Sequence, residues 1–187
     1  MGTKQEKDKY KNAILYFAEY LTPYQLGKTK LAKLLYYLDF ISYRDRKEKV
    51  TGALYYKQEY GPLAQDLTEM IADLVVEEKL EVSREVVEGT GKQKDKFHAL
   101  TKPNERVFDM YEQELLRKLA NTYAEVPTDT IVAKSHLEAP WVEAKNGAAL
   151  NYELAFDIED FNLEIEQESR EEDKKIIKAV EVELSRK

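Results

Sequence analysis

The chain has 187 residues, enough for one domain with its own hydrophobic core. It contains no cysteine and only two histidines, which excludes disulfides and thiolate chemistry and removes most zinc ligand sets. The formal net charge is −7, and no apolar run approaches the ~20 residues that cross a bilayer. We therefore expect a cytoplasmic protein without membrane contact, and we do not expect nucleic acid as a partner.

The first segment of the chain predicts two helices. Apolar residues recur with helical spacing over 13–21, and again over 29–43, where they cover so much of the circumference that the second helix should be buried. Between them, Gly27-Lys28-Thr29 has the ending of a phosphate-binding loop. However, Thr22 stands where the first glycine of that loop would be, and a helix rather than a strand precedes it. We interpret the triplet as a helix start with Thr29 as its cap.

Residues 53–60 are rich in tyrosine and predict a short strand. Tyr55 and Tyr56 would point to opposite faces of that strand, so only one of them can belong to the core. Gly61-Pro62 is predicted to end the strand and to open the next helix, because proline is well tolerated in a first helical turn.

The remaining elements complete a mainly α (α+β) architecture. Segments 80–87 and 96–100 predict a β-hairpin, and a helix is predicted to open at 101–103. A shorter helix follows at about 128–138, and 168–186 predicts a charged helix with a thin apolar stripe. The sequence thus predicts a compact helical domain with a small antiparallel sheet or hairpin and a charged C-terminal helix.

The acidic residues are unevenly distributed. Residues 157–187 hold eleven Asp or Glu and six Lys or Arg, a net charge of −5, whereas residues 1–156 have a net charge of only −2. We therefore expect one domain at 1–156, followed by an acidic and helical extension at 157–187.

No residue pattern indicates a catalytic, cofactor or metal site. His136 and Glu138 could act together in acid–base chemistry. They are two residues apart on a predicted helix, however, and so point to different faces. We interpret His136 as a complement to the dipole at the helix C-terminus. His98 lies in a predicted strand without a spacing partner. We accordingly expect a protein that is not an enzyme and that needs no cofactor.

The tyrosines suggest a protein-binding surface instead. Ten of the thirteen fall within residues 1–60, and tyrosine is enriched at protein interfaces. The candidate partner-binding residues are those of the tyrosine-rich segment and the only tryptophan: Tyr55, Tyr56, Tyr60, Gly61, Pro62 and Trp141.

Three segments in this order resemble the Panacea, or SocA-like, antitoxin domain of bacteria, archaea and phages. They are "KTKLAKLLYYLDF", "TGALYYKQEYGPL" and "SHLEAPW". The family has a Lys-Leu-x-Lys-Leu-x-Tyr-Tyr helix, a Tyr-Gly-Pro step and a Ser-His segment with a later Trp. The matching residues are Lys30, Leu31, Lys33, Leu34, Leu35, Tyr36, Tyr37, Tyr60, Gly61, Pro62, Ser135, His136, Pro140 and Trp141. The resemblance covers about residues 10–150.

The resemblance implies an antitoxin that neutralises a cognate protein toxin, encoded by a neighbouring gene, through direct contact. It brings no catalytic residues. Two other functions stay open: a winged-helix-like DNA-binding regulator, and a proteolytic adaptor that delivers a toxin for degradation. The oligomeric state is left open as well.

Overall fold

The structure is a computed structural model that describes residues 3–86 and 93–158. Six α-helices and two small two-stranded antiparallel sheets make up this part of the chain. The predicted mainly α fold with a small antiparallel hairpin is confirmed, with two sheets where one was expected. The charged helix predicted at 168–186 lies outside the described residues.

Helix α1, Lys4–Tyr20, begins at a capping box. The side chain of Thr3 accepts a hydrogen bond from the Glu6 amide, and the Glu6 carboxylate accepts one from the Thr3 amide. The helix ends as the chain becomes extended at Leu21, two residues before Pro23, as the sequence predicts.

Helix α2, Lys28–Arg46, has no side-chain cap. Its N-cap is Gly27, so Thr29 lies inside the first turn and the prediction that Thr29 caps the helix is wrong. A Cβ atom at Gly27 would lie 3.1 Å from Cε of Lys94. This close approach leaves little room for a capping side chain at the N-cap position.

A tight hairpin follows, formed by strands β1, Tyr55–Gln58, and β2, Gly61–Ala64. Gly61 has φ +87°, a left-handed conformation that suits glycine, and it completes a reversal through residues 59–60. Pro62 therefore lies in a strand opposite Lys57. The prediction that Gly61-Pro62 opens a helix is wrong, because the chain turns back before the next helix begins.

The later elements follow the predicted order: α3 (Leu67–Val76), β3 (Leu80–Val86), β4 (Gln93–Ala99), a 3-10 helix (Glu105–Val107), α4 (Met110–Tyr123), α5 (Thr128–Leu137), α6 (Ala139–Val142) and a second 3-10 helix (Tyr152–Asp157). Strands β3 and β4 form the predicted hairpin. Helix α4 begins later than the predicted position at 101–103, since Asp109 and Glu112 form a capping box there.

Helix α2 lies at the centre of the molecule. Every residue from 30 to 42 is buried, and the helix packs against α4, α5, β2 and the second 3-10 helix. Two ring pairs fix its faces: Tyr37 stacks on Tyr123, with ring centroids 5.5 Å apart, and Phe40 stacks on Tyr152 at 4.1 Å. The prediction of a central buried helix is confirmed.

A buried carboxylate joins α2 to the loop that precedes β1. Asp39 is fully buried and accepts hydrogen bonds from the Thr51 amide at 2.7 Å, the Thr51 hydroxyl, and the Tyr55 hydroxyl at 3.0 Å. Burial raises the pKa of Asp39 to about 6, although these hydrogen bonds act to lower it. This network holds the loop and the first residue of β1 against the central helix.

Residues 147–158 cover the outer edge of β1 and complete the core. The Leu150 amide donates to the Tyr55 carbonyl at 2.7 Å, and the Tyr152 hydroxyl donates to the Ala53 carbonyl at 2.8 Å. Four side chains of the segment are buried: Leu150, Tyr152, Ala155 and Ile158. The sequence indicated only irregular structure here.

Candidate functional site

Three segments that are far apart in the sequence meet beside the N-terminal half of α2. Lys33 of α2 donates a hydrogen bond to the Pro62 carbonyl of β2 at 2.7 Å. The indole of Trp141, on α6, donates to the Gln58 carbonyl of β1 at 3.4 Å. Ser135, on α5, lies between them against the β1–β2 turn. These are the three segments on which the family resemblance rests.

Gly61 allows the turn to approach α2 and α5 closely. A Cβ atom built there would lie 2.7 Å from both Cε of Lys33 and Oγ of Ser135. Ser135 is fully buried, and its hydroxyl donates to the Val132 carbonyl at 2.8 Å. The serine therefore serves packing at this junction and is not presented as a nucleophile.

Lys33 is a buried amine, only 2% exposed. Burial lowers its pKa to about 7, because the charged form loses its hydration. Near neutral pH the side chain therefore exists in both its charged and its neutral forms.

Glu138, between α5 and α6, is a buried carboxylate, which the sequence indicated only as a possible acid–base partner of His136. Burial raises its pKa to about 7, and the hydroxyls of Tyr36 and Tyr37 offset part of that effect. Neither carboxylate oxygen receives a hydrogen bond of regular geometry from the described residues. The burial of Glu138 has no signal in the sequence, since a glutamate at a helix end is ordinarily solvated.

We expect the variant Glu138→Gln to be more stable than the parent protein above pH 7, by about 1–2 kcal/mol. The folded-state pKa is raised, so between about pH 4.5 and pH 7 the folded state keeps a proton that the unfolded state has lost. Stability contributed by this group is therefore lost as pH rises through that window. Urea unfolding at about pH 4.5 and about pH 8 measures the difference.

The exposed Glu143→Gln is the matched control and should change stability by no more than about 0.5 kcal/mol. If the stability difference between Glu138→Gln and the parent protein were the same at both pH values, Glu138 would not be desolvated in the folded protein.

His136 and Trp141 form a stacked pair. Their ring centroids are 4.0 Å apart, and the Lys57 ammonium lies 4.0 Å from the Trp141 ring. The pKa of His136 is lowered, first by burial and then by the charges of Lys33 and Lys57. The neutral form of the histidine is therefore favoured. His136 lies in the last turn of α5, the position near the helix C-terminus that the sequence predicts.

A groove of about 300 Å³ opens between the first turns of α2 and the β1–β2 turn. Its lining includes Lys28, Lys33, Glu59, Tyr60 and Leu63. We call three residues at the β1–β2 turn the rim, defined as Tyr60, Trp141 and Val142. Tyr60 lies in the turn, and Trp141 and Val142 contact the preceding strand β1. Tyr60 is 63% exposed and Val142 is 55% exposed, while Trp141 is half-buried.

The structure divides the six partner-binding candidates into an exposed residue (Tyr60), two half-buried residues (Tyr56 and Trp141) and three buried ones (Tyr55, Gly61 and Pro62). Tyr55 lies in the core with its hydroxyl on Asp39, so it is not available to a partner. Tyr56 donates its hydroxyl to the Gln65 side chain at 3.3 Å. The expectation that only one of the adjacent tyrosines is core is confirmed.

Two negative findings apply to residues 3–86 and 93–158. No three His, Asp or Glu side chains there are grouped so that they could hold a metal ion. No helix there has both the length and the apolar character needed to cross a membrane.

One comparison with known proteins gives a match. The sequence model described as "Antitoxin SocA-like, Panacea domain" matches residues 31–142, which is more than half of the chain. The matched region contains Lys33, the β1–β2 turn and Trp141, and it stops before the closing segment 147–158. No curated protein and no solved structure matches the chain.

Proposed function

Because the chain belongs to the SocA-like Panacea antitoxin family, we propose that it is an antitoxin that binds a cognate protein toxin directly. Neutralisation occurs by covering the toxin's surface, and this protein contributes no catalytic step. A stable complex of this type buries on the order of 1,600 Å² in total, so the contact extends beyond the rim itself.

The observation that carries the proposal is the exposed aromatic and apolar rim beside a groove. A large side chain such as Tyr60, more than half exposed on a rigid two-residue turn, keeps an apolar surface in water. Aromatic side chains of this kind act as anchors in protein complexes. The turn is held from behind by Lys33 and by Trp141, so the surface is organised before a partner arrives.

The side chains behind the rim support binding rather than catalysis. The Ser135 hydroxyl is occupied by a backbone carbonyl, and the ring of His136 is stacked on the indole of Trp141. A nucleophile needs an accessible hydroxyl with a base in hydrogen-bond reach. Neither side chain is presented to solvent in that way.

We expect Tyr60→Ala to weaken toxin binding about tenfold or more while changing stability by less than about 1 kcal/mol. The ring is mostly exposed, so its loss removes contact area without opening a cavity. The measurement is co-purification and titration with the product of the adjacent open reading frame whose expression arrests growth.

Met110→Ala is the matched control, because Met110 is 88% exposed and begins α4 next to Asp109, which contacts Arg46 in the last turn of α2. Tyr60 lies beside the first turns of α2, so the two positions are near its opposite ends. Equal losses of binding for both variants, or unfolding of Tyr60→Ala, would contradict the assignment of the rim.

The same toxin separates direct blocking from delivery to a protease. A blocker inhibits the purified toxin in a mixture of the two proteins alone and leaves its cellular half-life unchanged or longer. A shortened half-life, without inhibition in the purified mixture, would contradict blocking and support an adaptor.

A further inference from the structure

Two lysines that face the groove have no acidic partner among the described residues. The Lys33 ammonium donates to the Pro62 carbonyl at 2.7 Å, and the Lys28 ammonium donates to the Thr68 hydroxyl at 3.0 Å. An ammonium group has three donors. Each of these side chains therefore has hydrogen atoms left for a further acceptor.

Two lysines of α1 are, by contrast, paired with carboxylates. Lys9 contacts Glu112 at 2.6 Å, and Lys11 contacts Asp73 at 2.9 Å and Glu77 at 2.6 Å. The chain has 36 acidic and 29 basic residues, so an acidic neighbour is easy to provide. The groove is a place where the fold leaves positive charge uncompensated.

Lys33 forms part of the floor of the groove. The residue is 2% exposed and lines the groove, so what remains accessible of it faces that space. A buried cation without a counter-ion is unfavourable, and an anion placed beside it would remove that cost.

The start of α2 adds to the positive potential at one side of the groove. Gly27 offers no side chain to accept hydrogen bonds from the first-turn amides, and the groove is lined by Lys28 and Thr29 of that turn. Helix N-termini attract negative charge through their free N–H groups and the helix dipole.

We propose that the groove binds a single carboxylate, the side chain of an aspartate or glutamate on the bound toxin. Lys33 contacts the carboxylate from the floor of the groove, and Lys28 contacts it from the edge. Tyr60 and Leu63 pack against the methylene groups of the same aspartate or glutamate side chain. This inference rests on the proposed function, since it names the chemistry of the toxin residue that enters the site.

The charges of the groove favour a carboxylate over a phosphate group. When Lys33 is protonated, Lys28 and Lys33 supply two positive charges, and Glu59 in the same lining supplies one negative charge. One singly charged carboxylate neutralises the remainder. A doubly charged phosphate would leave excess negative charge beside Glu59, which is unfavourable at short range.

The test on the unmodified protein uses N-acetyl-glutamate α-amide as the probe, with N-acetyl-glutamine amide as the neutral control. The pKa of Lys33 is followed by NMR of its Cε and Nζ atoms. We expect the acidic probe to raise that pKa by about 1–3 pH units at saturation, and the neutral analogue to leave it unchanged. No response to the acidic probe, or tighter binding of phosphate than of the probe, would overturn the proposal.

The matched variants are Lys33→Met and Lys30→Met. Lys30 is on the same helix and equally buried, but it donates to the Ala124 carbonyl and does not line the groove. Both substitutions keep an apolar stem. We expect Lys33→Met to abolish probe binding and to weaken the toxin complex about tenfold to a hundredfold, and Lys30→Met to retain both.

The two proposals fail in distinguishable ways. If the parent protein neutralises its toxin and folded Lys33→Met does so equally well, the carboxylate assignment is wrong and the antitoxin function stands. If no toxin binds, the probe titration on the unmodified protein still decides whether the groove accepts a carboxylate. If Lys33→Met does not fold, two other measurements decide the question. These are the probe titration on the unmodified protein and the variant Lys28→Gln, which should weaken probe binding.

Discussion

Replacement of Asp39 by alanine is expected to lower the free energy of unfolding by about 3–4 kcal/mol. The carboxylate is the shared acceptor for the Thr51 amide, the Thr51 hydroxyl and the Tyr55 hydroxyl, all of which are buried. Alanine would leave these donors without a partner and out of reach of water. Urea denaturation near neutral pH, followed by circular dichroism, measures the loss.

Two further substitutions at the same network refine this expectation. Thr51→Val removes one hydroxyl donor and should cost about 1–2 kcal/mol. Asp8→Ala, at an exposed carboxylate of α1, is the control and should change stability by no more than about 0.5 kcal/mol. An Asp39→Ala variant as stable as Asp8→Ala would show that the loop is held by other contacts.

Gly61→Ala is expected to cost about 2–4 kcal/mol of folding stability. The backbone at Gly61 has φ +87°, and the added methyl group would lie 2.7 Å from Cε of Lys33 and from Oγ of Ser135. Since these two neighbours are buried, the turn must shift away from α2. We therefore also expect this variant to weaken toxin binding, because Tyr60 moves with the turn.

Gly147→Ala separates the two contributions to that loss. Gly147 also has a positive φ, +74°, but no atom lies within 4 Å of its added Cβ position. Gly147→Ala should lose only the free energy needed to hold an alanine in the left-handed backbone conformation, about 1 kcal/mol. Equal destabilisation of the two variants in thermal or urea unfolding would contradict close packing behind the turn.

The central helix could be predicted because the residues that indicate it lie close together in the sequence. Leu31, Leu34, Leu35 and Leu38 repeat at helical spacing, and the flanking aromatic residues leave little polar surface. Such a helix can be stable only when it is covered on most sides. The capping boxes that begin α1 and α4 are also local signals, although the predicted start of α4, at 101–103, is too early.

The candidate site could be predicted only in part, because its chemistry depends on distant contacts. Gly61-Pro62 is compatible with a hairpin or with a helix start, and the choice is made by packing against Lys33 and Ser135. The pKa of Glu138 is raised by burial, an effect that the hydroxyls of Tyr36 and Tyr37 only partly offset, and no spacing along the chain reveals that burial. Tyr60 is exposed because it lies in the turn, whereas Tyr55 is buried in strand β1.

The covering of β1 by residues 147–158 bears on how the protein is made in the cell. The hairpin and α2 are translated early, yet Leu150 and Tyr152, which seal them, leave the ribosome much later. Until then a nascent chain exposes aromatic surface that a chaperone or protease could recognise. The supply of active protein would then depend on completing synthesis, and a message truncated after codon 142 would encode the matched family region without a finished core.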